Sequence, residues 1–101
     1  MLSNDEISYS LSTLNAITSS PWLLQDNTIH KEFSFDDFKQ AWSFMNKVAD
    51  AAEKADHHPD WCNSYKQVSI PLTTHQSGGL TAKDFDLASS IENILKTIKS
   101  Q

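Results

Sequence analysis

The feature that most constrains the fold of this sequence is a change of hydrophobic period near residue 36. Upstream, apolar and polar side chains alternate from Ile29 to Phe35, which is typical of a half-buried strand with its aromatic face inward. Downstream, apolar residues recur at helical spacing over about five turns. A strand directly before a long amphipathic helix predicts a mixed α and β domain. The stripe assigned to the core-facing side of this helix is Phe38, Ala41, Trp42, Met45, Val48, Ala49 and Ala52.

Capping boxes and turn residues place the other elements. A capping box starting at Ser3 predicts a first helix that runs to about Thr18, and a second box starting at Thr81 predicts the last helix. Short alternating segments flank turns predicted at Asp26-Asn27 and near Ser64-Tyr65. The chain therefore contains four candidate strands and three candidate helices.

These elements follow one another in the order α-β-β-α-β-β-α, which predicts a single domain spanning residues 1–101. The fold class is α+β, with a four-stranded antiparallel sheet and three helices on one face, because strands joined by tight turns pair antiparallel. Pro71 lacks a backbone donor. Its strand is therefore expected at an edge, or with the missing donor facing away from the ladder.

Composition excludes several classes of function. The net charge is −5, and all eight basic residues are Lys, which argues against a nucleic-acid surface that would use bidentate Arg. The only two glycines are adjacent, at Gly78 and Gly79, so no phosphate-binding glycine loop is present. Cys62 is the only cysteine, which excludes an internal disulfide and fits a reducing compartment. No secretory leader or membrane span is recognisable in the sequence, and we expect a cytoplasmic protein.

Three of the four histidines, His57, His58 and His75, lie at breaks between predicted elements, where functional sites are usually built. Imidazole exchanges a proton near neutral pH, so three such groups around one pocket would suit the addition or elimination of water. The fourth, His30, is expected at the solvated surface of a strand.

Two other interpretations of these histidines remain open from the residues alone. Three imidazoles with Asp84 or Glu53 would suit zinc with one open position. However, His58 precedes Pro59 and is pushed to an extended conformation, in which adjacent side chains point to opposite sides. The last interpretation is that the histidines are surface loop residues that satisfy helix ends.

A longer pattern around these histidines resembles a known family. The segment Glu53–Tyr65 contains the run ADHHPDWCNSY, and it is followed by His75 and by an acid at Asp84. Upstream, the alternating segment Ile29–Phe35 and the helix after it extend the match to roughly residues 20 to 95. Together these features are similar to the pterin-4a-carbinolamine dehydratases. One departure is Lys31, where many members carry Arg.

The resemblance implies a reaction and a division of roles. The reaction is loss of water from 4a-hydroxytetrahydropterin to give quinonoid dihydropterin, which recycles the pterin of aromatic amino-acid hydroxylases. No metal or organic cofactor is implied. The implied catalytic residues are His57, His58 and His75. His57 and His75 would do the acid/base work, while His58 would bind and orient the pterin near the 4a centre and could share in proton transfer. The predicted substrate-binding residues are Asp56, Trp61, Thr73 and Thr74, and the predicted supporting residues are Glu53, Pro59 and Asp84.

Several of these residues also have simpler interpretations. Trp61 is about as well explained by core packing beside the long helix, and Glu53 is better explained as a solvated helix residue. Asp84 is favoured as a helix cap, with orientation of a histidine as the alternative.

The resemblance also bears on partners. It implies a homodimer or homotetramer and no direct contact with nucleic acid or membrane. Animal members of the family bind a homeodomain transcription factor and stabilise its dimer. The alternative function is therefore a protein-binding module of that kind, with or without enzymatic activity.

Overall fold

The computed structural model describes residues 1–99 and contains the predicted elements in the predicted order. The α+β class, with three helices and a four-stranded antiparallel sheet, is thereby confirmed. No helix within residues 1–99 is long and apolar enough to cross a membrane. The elements are α1 (Asn4–Asn15), β1 (Leu23–Gln25), β2 (Thr28–Ser34), α2 (Phe38–Ala55), β3 (Cys62–Ser64), β4 (Gln67–Leu72), a short 3₁₀ turn (His75–Ser77) and α3 (Ala82–Lys99).

The sheet has the strand order β1-β2-β4-β3, and all neighbouring strands are antiparallel. The β1–β2 turn is Asp26-Asn27, as predicted, and Asp26 has the left-handed φ of 56° that such a turn uses. The β3–β4 turn is Tyr65-Lys66, one residue later than predicted, with Tyr65 at a φ of 53°.

Of the two placements predicted for the strand carrying Pro71, the position at an edge is wrong, and the alternative of a missing donor that faces away from the ladder remains. β4 is a central strand between β2 and β3, and Pro71 pairs with His30 of β2. On the other side β3 is only three residues long and pairs with β4 over residues 67–69. Pro71 therefore lies beyond the end of β3. On the β3 side of β4, no strand is left without a hydrogen bond by the backbone N–H that Pro71 lacks.

The core lies between one face of the sheet and the helices. The alternation in β2 is confirmed: Ile29, Lys31 and Phe33 are buried, while Glu32 and Ser34 are exposed. In β4 the buried residues are likewise alternate ones, so the inner faces of the two strands form one apolar surface. The strongly buried side chains of the strands and of the residues next to them are Trp22, Ile29, Phe33, Phe35, Val68, Ile70 and Leu72.

The predicted stripe of α2 is only partly correct. Phe38, Trp42 and Ala49 are exposed, and Phe44 is fully buried although the predicted stripe omits it. The reason is that the helix carries two adjoining apolar faces, each offset from the other by one residue, or about 100° of rotation. The inner face is Ala41, Phe44, Val48 and Ala52, and the outer face is Phe38, Trp42, Met45 and Ala49.

The first helix begins as predicted, because the Ser3 hydroxyl accepts from the Glu6 N–H and the Glu6 carboxylate accepts from the Ser3 N–H. It ends at Asn15, earlier than the predicted Thr18. The Asn15 side chain bonds the backbone N–H and C=O of Trp22, at 2.8 and 3.0 Å, and so fastens the chain that leaves the helix.

Candidate active site

The candidate site forms where α2 ends, β4 ends and α3 begins. α2 stops at Ala55 because Asp56 adopts a left-handed conformation, with φ 51°. The N–H of His57 then donates to the Ala52 carbonyl oxygen at 3.0 Å, a bond that closes the end of the helix. The chain then leaves the helix through His58 and Pro59 toward β3.

His57 is held by a fully buried carboxylate. Its Nε2 lies 2.6 Å from Oδ1 of Asp84, whose side chain is 0 % exposed, whereas the His57 side chain is 11 % exposed. The second oxygen of Asp84, Oδ2, accepts from the Thr81 N–H at 2.9 Å and from the Thr74 hydroxyl at 2.8 Å. Asp84 therefore caps α3 and contacts the histidine at the same time, so the two predicted roles are not alternatives.

The other two histidines have exposed carboxylate partners. Nε2 of His58 lies 2.5 Å from Oε1 of Glu53, and Nε2 of His75 lies 3.1 Å from Oδ2 of Asp60. All four of these side chains are more than half exposed. In each of the three pairs the carboxylate occupies Nε2. An ionised carboxylate only accepts, so Nε2 carries the proton in each pair and Nδ1 remains for a ligand.

The three histidines line one cleft of about 270 Å³. Six of the predicted site residues meet there, including both threonines that follow β4. Thr73 is anchored by its hydroxyl, which donates to the Asn27 carbonyl oxygen at 2.6 Å. The lining residues are Asp56, His57, His58, Thr73, Thr74, His75, Gln76 and Lys83.

The remaining predicted site residues lie outside this lining. Glu53 contacts His58 and Asp84 contacts His57, so each lies one residue away from the cleft. Trp61 is partly buried and packs against the hydrophobic core, as its simpler interpretation expected. Pro59 and the unpredicted Asp60 line a second, smaller cleft of about 160 Å³.

Three functional candidates were missed from the sequence: Asp60, Gln76 and Lys83. Asp60 stands in the resembling run, but it is 15 residues from the histidine that it contacts, and no local spacing links the two. Gln76 lies in the short 3₁₀ turn after β4 and Lys83 lies in the first turn of α3, and no hydrophobic period in the sequence points to either residue.

The zinc interpretation finds no cluster to support it in the described part of the chain, residues 1–99, which contains no group of three or more His, Cys, Asp or Glu side chains placed to hold a metal ion. His57 and His58 contact different carboxylates, Asp84 and Glu53, as expected for neighbours in extended chain.

The fold and the site together define a small α+β protein in which three histidines, each beside a carboxylate, line one cleft. Residues 1–94 match the family profile described as pterin 4 alpha carbinolamine dehydratase, and the chain belongs to this family.

The similar proteins agree with this assignment. A Prochlorococcus marinus protein named "Putative pterin-4-alpha-carbinolamine dehydratase" is 49 % identical over 76 residues, covering 75 % of this chain and 80 % of its own. A Chelativorans protein of the same name is 49 % identical over 89 residues, covering 86 % of each.

Two solved structures share the fold. A Brucella melitensis protein described as "transcriptional coactivator/pterin dehydratase" is 36 % identical, with a TM-score of 0.83, and the match covers 92 % of this chain and 96 % of that one. A pterin dehydratase-like protein described as a RuBisCO assembly factor is 20 % identical, with a TM-score of 0.65, over 75 % of this chain and 90 % of that one, a likeness of fold only.

Proposed function

We propose that this protein removes water from 4a-hydroxytetrahydropterin to give quinonoid dihydropterin. The observation that carries the proposal is the convergence of three histidines, each paired through Nε2 with its own carboxylate, on one cleft. Membership of the family supports the pterin as the ligand.

The reaction needs one proton delivered and one removed. The C4a–O bond breaks as the departing hydroxyl takes a proton and leaves as water, and loss of the proton on N5 allows the C4a=N5 double bond to form. Such positioned proton transfer typically contributes 10²–10⁴-fold to a rate. Two imidazoles, one protonated and one neutral, are sufficient for both steps, and the reaction as proposed uses no metal or organic cofactor.

We assign the acid/base work to His57 and His75, and the orientation of the pterin to His58. Asp84 holds the proton of His57 on Nε2, which leaves Nδ1 as the nitrogen that exchanges a proton with the substrate. Asp56, Thr73 and Thr74 lie in the same lining, where a carboxylate and hydroxyls would accept from the pterin N–H groups.

The proposed setting follows from the reaction. The substrate is the carbinolamine that aromatic amino-acid hydroxylases release after each turnover, so we infer a functional link to such an enzyme. We also infer a cytoplasmic location and a homodimer or homotetramer.

The proposal is tested by generating 4a-hydroxytetrahydropterin enzymatically and following its ultraviolet absorbance after mixing with the protein. We expect dehydration faster than the spontaneous rate, and His75→Ala should lower the enzymatic rate by about 100-fold, the low end for a positioned proton donor or acceptor.

His30→Ala is the matched control, because His30 lies in β2 and does not line either histidine cleft. It should keep the wild-type rate. Dehydration at only the spontaneous rate by the wild-type protein would overturn the proposed function, and an unchanged rate in His75→Ala would overturn the role given to His75.

The alternative is a protein-binding module. It is favoured by the description of the Brucella melitensis relative as a transcriptional coactivator as well as a pterin dehydratase. A module without activity has no need of the buried contact between His57 and Asp84, and this contact therefore favours the enzyme. A wild-type protein that fails the dehydration assay would favour the binding module.

A further inference from the structure

The ring of His75 is held far less firmly than that of His57. The His57 side chain is 11 % exposed and contacts a buried carboxylate, whereas the His75 side chain is 77 % exposed and its partner, Asp60, is 83 % exposed. An exposed pair of this kind contributes little to keeping two side chains in one place. The position of the His75 ring therefore depends on the backbone of the turn that carries it.

This turn is closed at its base by the residue before His75. Thr74 and Gly79 exchange two backbone hydrogen bonds, with N–O distances of 3.2 and 3.3 Å. On its inner side the turn is fastened to α3, because the Thr74 hydroxyl donates to Oδ2 of Asp84 at 2.8 Å. The residues between Thr74 and Gly79 therefore form one small closed unit, with His75 as its first member.

On its outer side the turn is fastened by one residue of a different hairpin, Asn27 in the β1–β2 turn. The carbonyl oxygen of Asn27 accepts from the Thr73 hydroxyl at 2.6 Å. Its side-chain amide donates to the Gly78 carbonyl oxygen at 3.4 Å. The two contacts lie on either side of His75 and join segments that are 46 and 51 residues apart in sequence. We propose that Asn27 is a positioning residue for His75, because it holds both ends of the turn from which the imidazole enters the lining of the cleft.

This inference rests on the proposed function for the work that His75 does. A group that exchanges a proton is effective only within hydrogen-bonding reach of the atom it serves, so a turn that opens part of the time lowers the rate of the chemical step. Asn27 lies outside the linings of both histidine clefts, and contact with a ligand there does not account for its two bonds.

The first test is amide hydrogen exchange at Gly78 and Gly79, whose N–H groups both donate within the turn. Asn27→Ala is compatible with the backbone, because Asn27 does not share the positive φ of Asp26. We expect Asn27→Ala to accelerate exchange at both glycines by about threefold, since the bond it removes is long. Thr73→Val removes the shorter bond and should accelerate exchange by about fivefold, whereas Thr73→Ser keeps the hydroxyl and should not.

Asn63→Ala is the matched control. The side-chain amide of Asn63 also donates to two backbone carbonyl oxygens, at 3.0 and 2.9 Å, but these belong to Tyr65 and Gln67 of its own hairpin. The substitution removes contacts of the same kind from a hairpin that does not touch the His75 turn. It should leave the exchange at both glycines unchanged.

The second test is the kinetics of dehydration. Asn27→Ala should lower kcat by about threefold with KM unchanged, and Asn63→Ala should keep the wild-type kcat. Adding Asn27→Ala to His75→Ala should cause no further fall, because a residue that acts only through His75 has no effect once the imidazole is gone.

Unchanged exchange in both Asn27→Ala and Thr73→Val would overturn the proposal, and so would an equal acceleration in Asn63→Ala. A further fall in rate when Asn27→Ala is added to His75→Ala would overturn the action through His75. Dehydration at only the spontaneous rate by the wild-type protein overturns the proposed function, and the support of the turn by Asn27 is then decided by the exchange measurement, which does not depend on turnover.

Discussion

Asp84 serves the fold with one carboxylate oxygen and the candidate site with the other. Oδ2 accepts from two donors at the start of α3, and Oδ1 faces His57. Because both donors to Oδ2 are fixed by the fold, the orientation of the carboxylate is fixed as well. The histidine tautomer is therefore set by the same contacts that begin the helix.

This arrangement predicts the effect of Asp84→Asn. The new carbonyl oxygen must stay where Oδ2 was, to accept from the Thr81 N–H and the Thr74 hydroxyl, so the amide NH₂ group faces Nε2 of His57. Nε2 must then accept, and the proton moves to Nδ1. We expect the dehydration rate to fall by about 100-fold or more, because the wrong ring nitrogen is protonated.

The tautomer can be measured from the ¹⁵N chemical shifts of the two ring nitrogens of His57, which swap when the proton moves from one nitrogen to the other. A loss of activity with a purely structural cause would leave these shifts in their wild-type order. Glu53→Gln makes the same chemical change at the exposed pair with His58 and should cost less than about threefold. A folded Asp84→Asn protein with the wild-type rate and tautomer would contradict this account.

At the scale of the elements, periodicity predicted the strands better than the helices. β2 has one buried face, so its period of two determines which side chains point toward the core. In α2 the two apolar faces adjoin, and a pattern of spacing alone does not tell which of them meets the core. Phe44 and Trp42 differ by two positions, yet the first is fully buried and the second is 52 % exposed.

The candidate site was also only partly predictable from the sequence. The histidines were predictable because they stand at element ends, and Asp84 because it stands in a capping box. Asp60 was not predicted, because its partner is brought to it only by the pairing of β3 with β4. The buried contact of Lys31 with Glu92 was also missed, because 61 residues separate the two and only the fold brings β2 and α3 together.

The contact between Lys31 and Glu92 joins β2 to α3 inside the protein. Lys31 Nζ lies 2.7 Å from Glu92 Oε2, which also accepts from the Trp22 indole N–H at 2.9 Å. The side chains of Lys31 and Glu92 are 5 % and 3 % exposed. Glu92→Gln leaves the Lys31 charge buried without a counter-charge, and we expect it to lower the free energy of unfolding by about 3 kcal/mol.

The double variant Lys31→Met/Glu92→Gln is the control for this prediction. It removes the buried charge and keeps an acceptor for the Trp22 indole, so most of the lost stability should return. Urea denaturation of the three proteins measures the difference. A double variant no more stable than Glu92→Gln would show that the charge is not the cause of the loss.

At the scale of the whole molecule, two large aromatic residues on the outer face of α2 are left exposed in the described chain, residues 1–99. Phe38 and Trp42 are 45 % and 52 % exposed, and their rings stack on one another with centroids 6.0 Å apart. Adjacent aromatics at the surface are more typical of an interface than of a solvated helix. The proposed homo-oligomer would bury this face against a second copy.

We therefore predict that Trp42→Glu lowers the sedimentation coefficient of the protein from that of a dimer or tetramer toward that of a monomer. Tyr9→Glu is the matched control, because Tyr9 is 75 % exposed on α1 and has no aromatic neighbour recorded within residues 1–99. It should leave the sedimentation coefficient unchanged. A monomeric wild-type protein, or an assembly that Trp42→Glu does not affect, would contradict the interface.

The same variant separates assembly from chemistry. Trp42 lies 14 residues before Asp56 along α2, or about 21 Å at the rise of a helix, so dissociation should not disturb the histidine cleft. We expect the dissociated but folded protein to keep the dehydration rate within about threefold while its unfolding midpoint falls, because the lost contact is apolar burial. A folded monomer that has lost its activity would mean that the second copy completes the site.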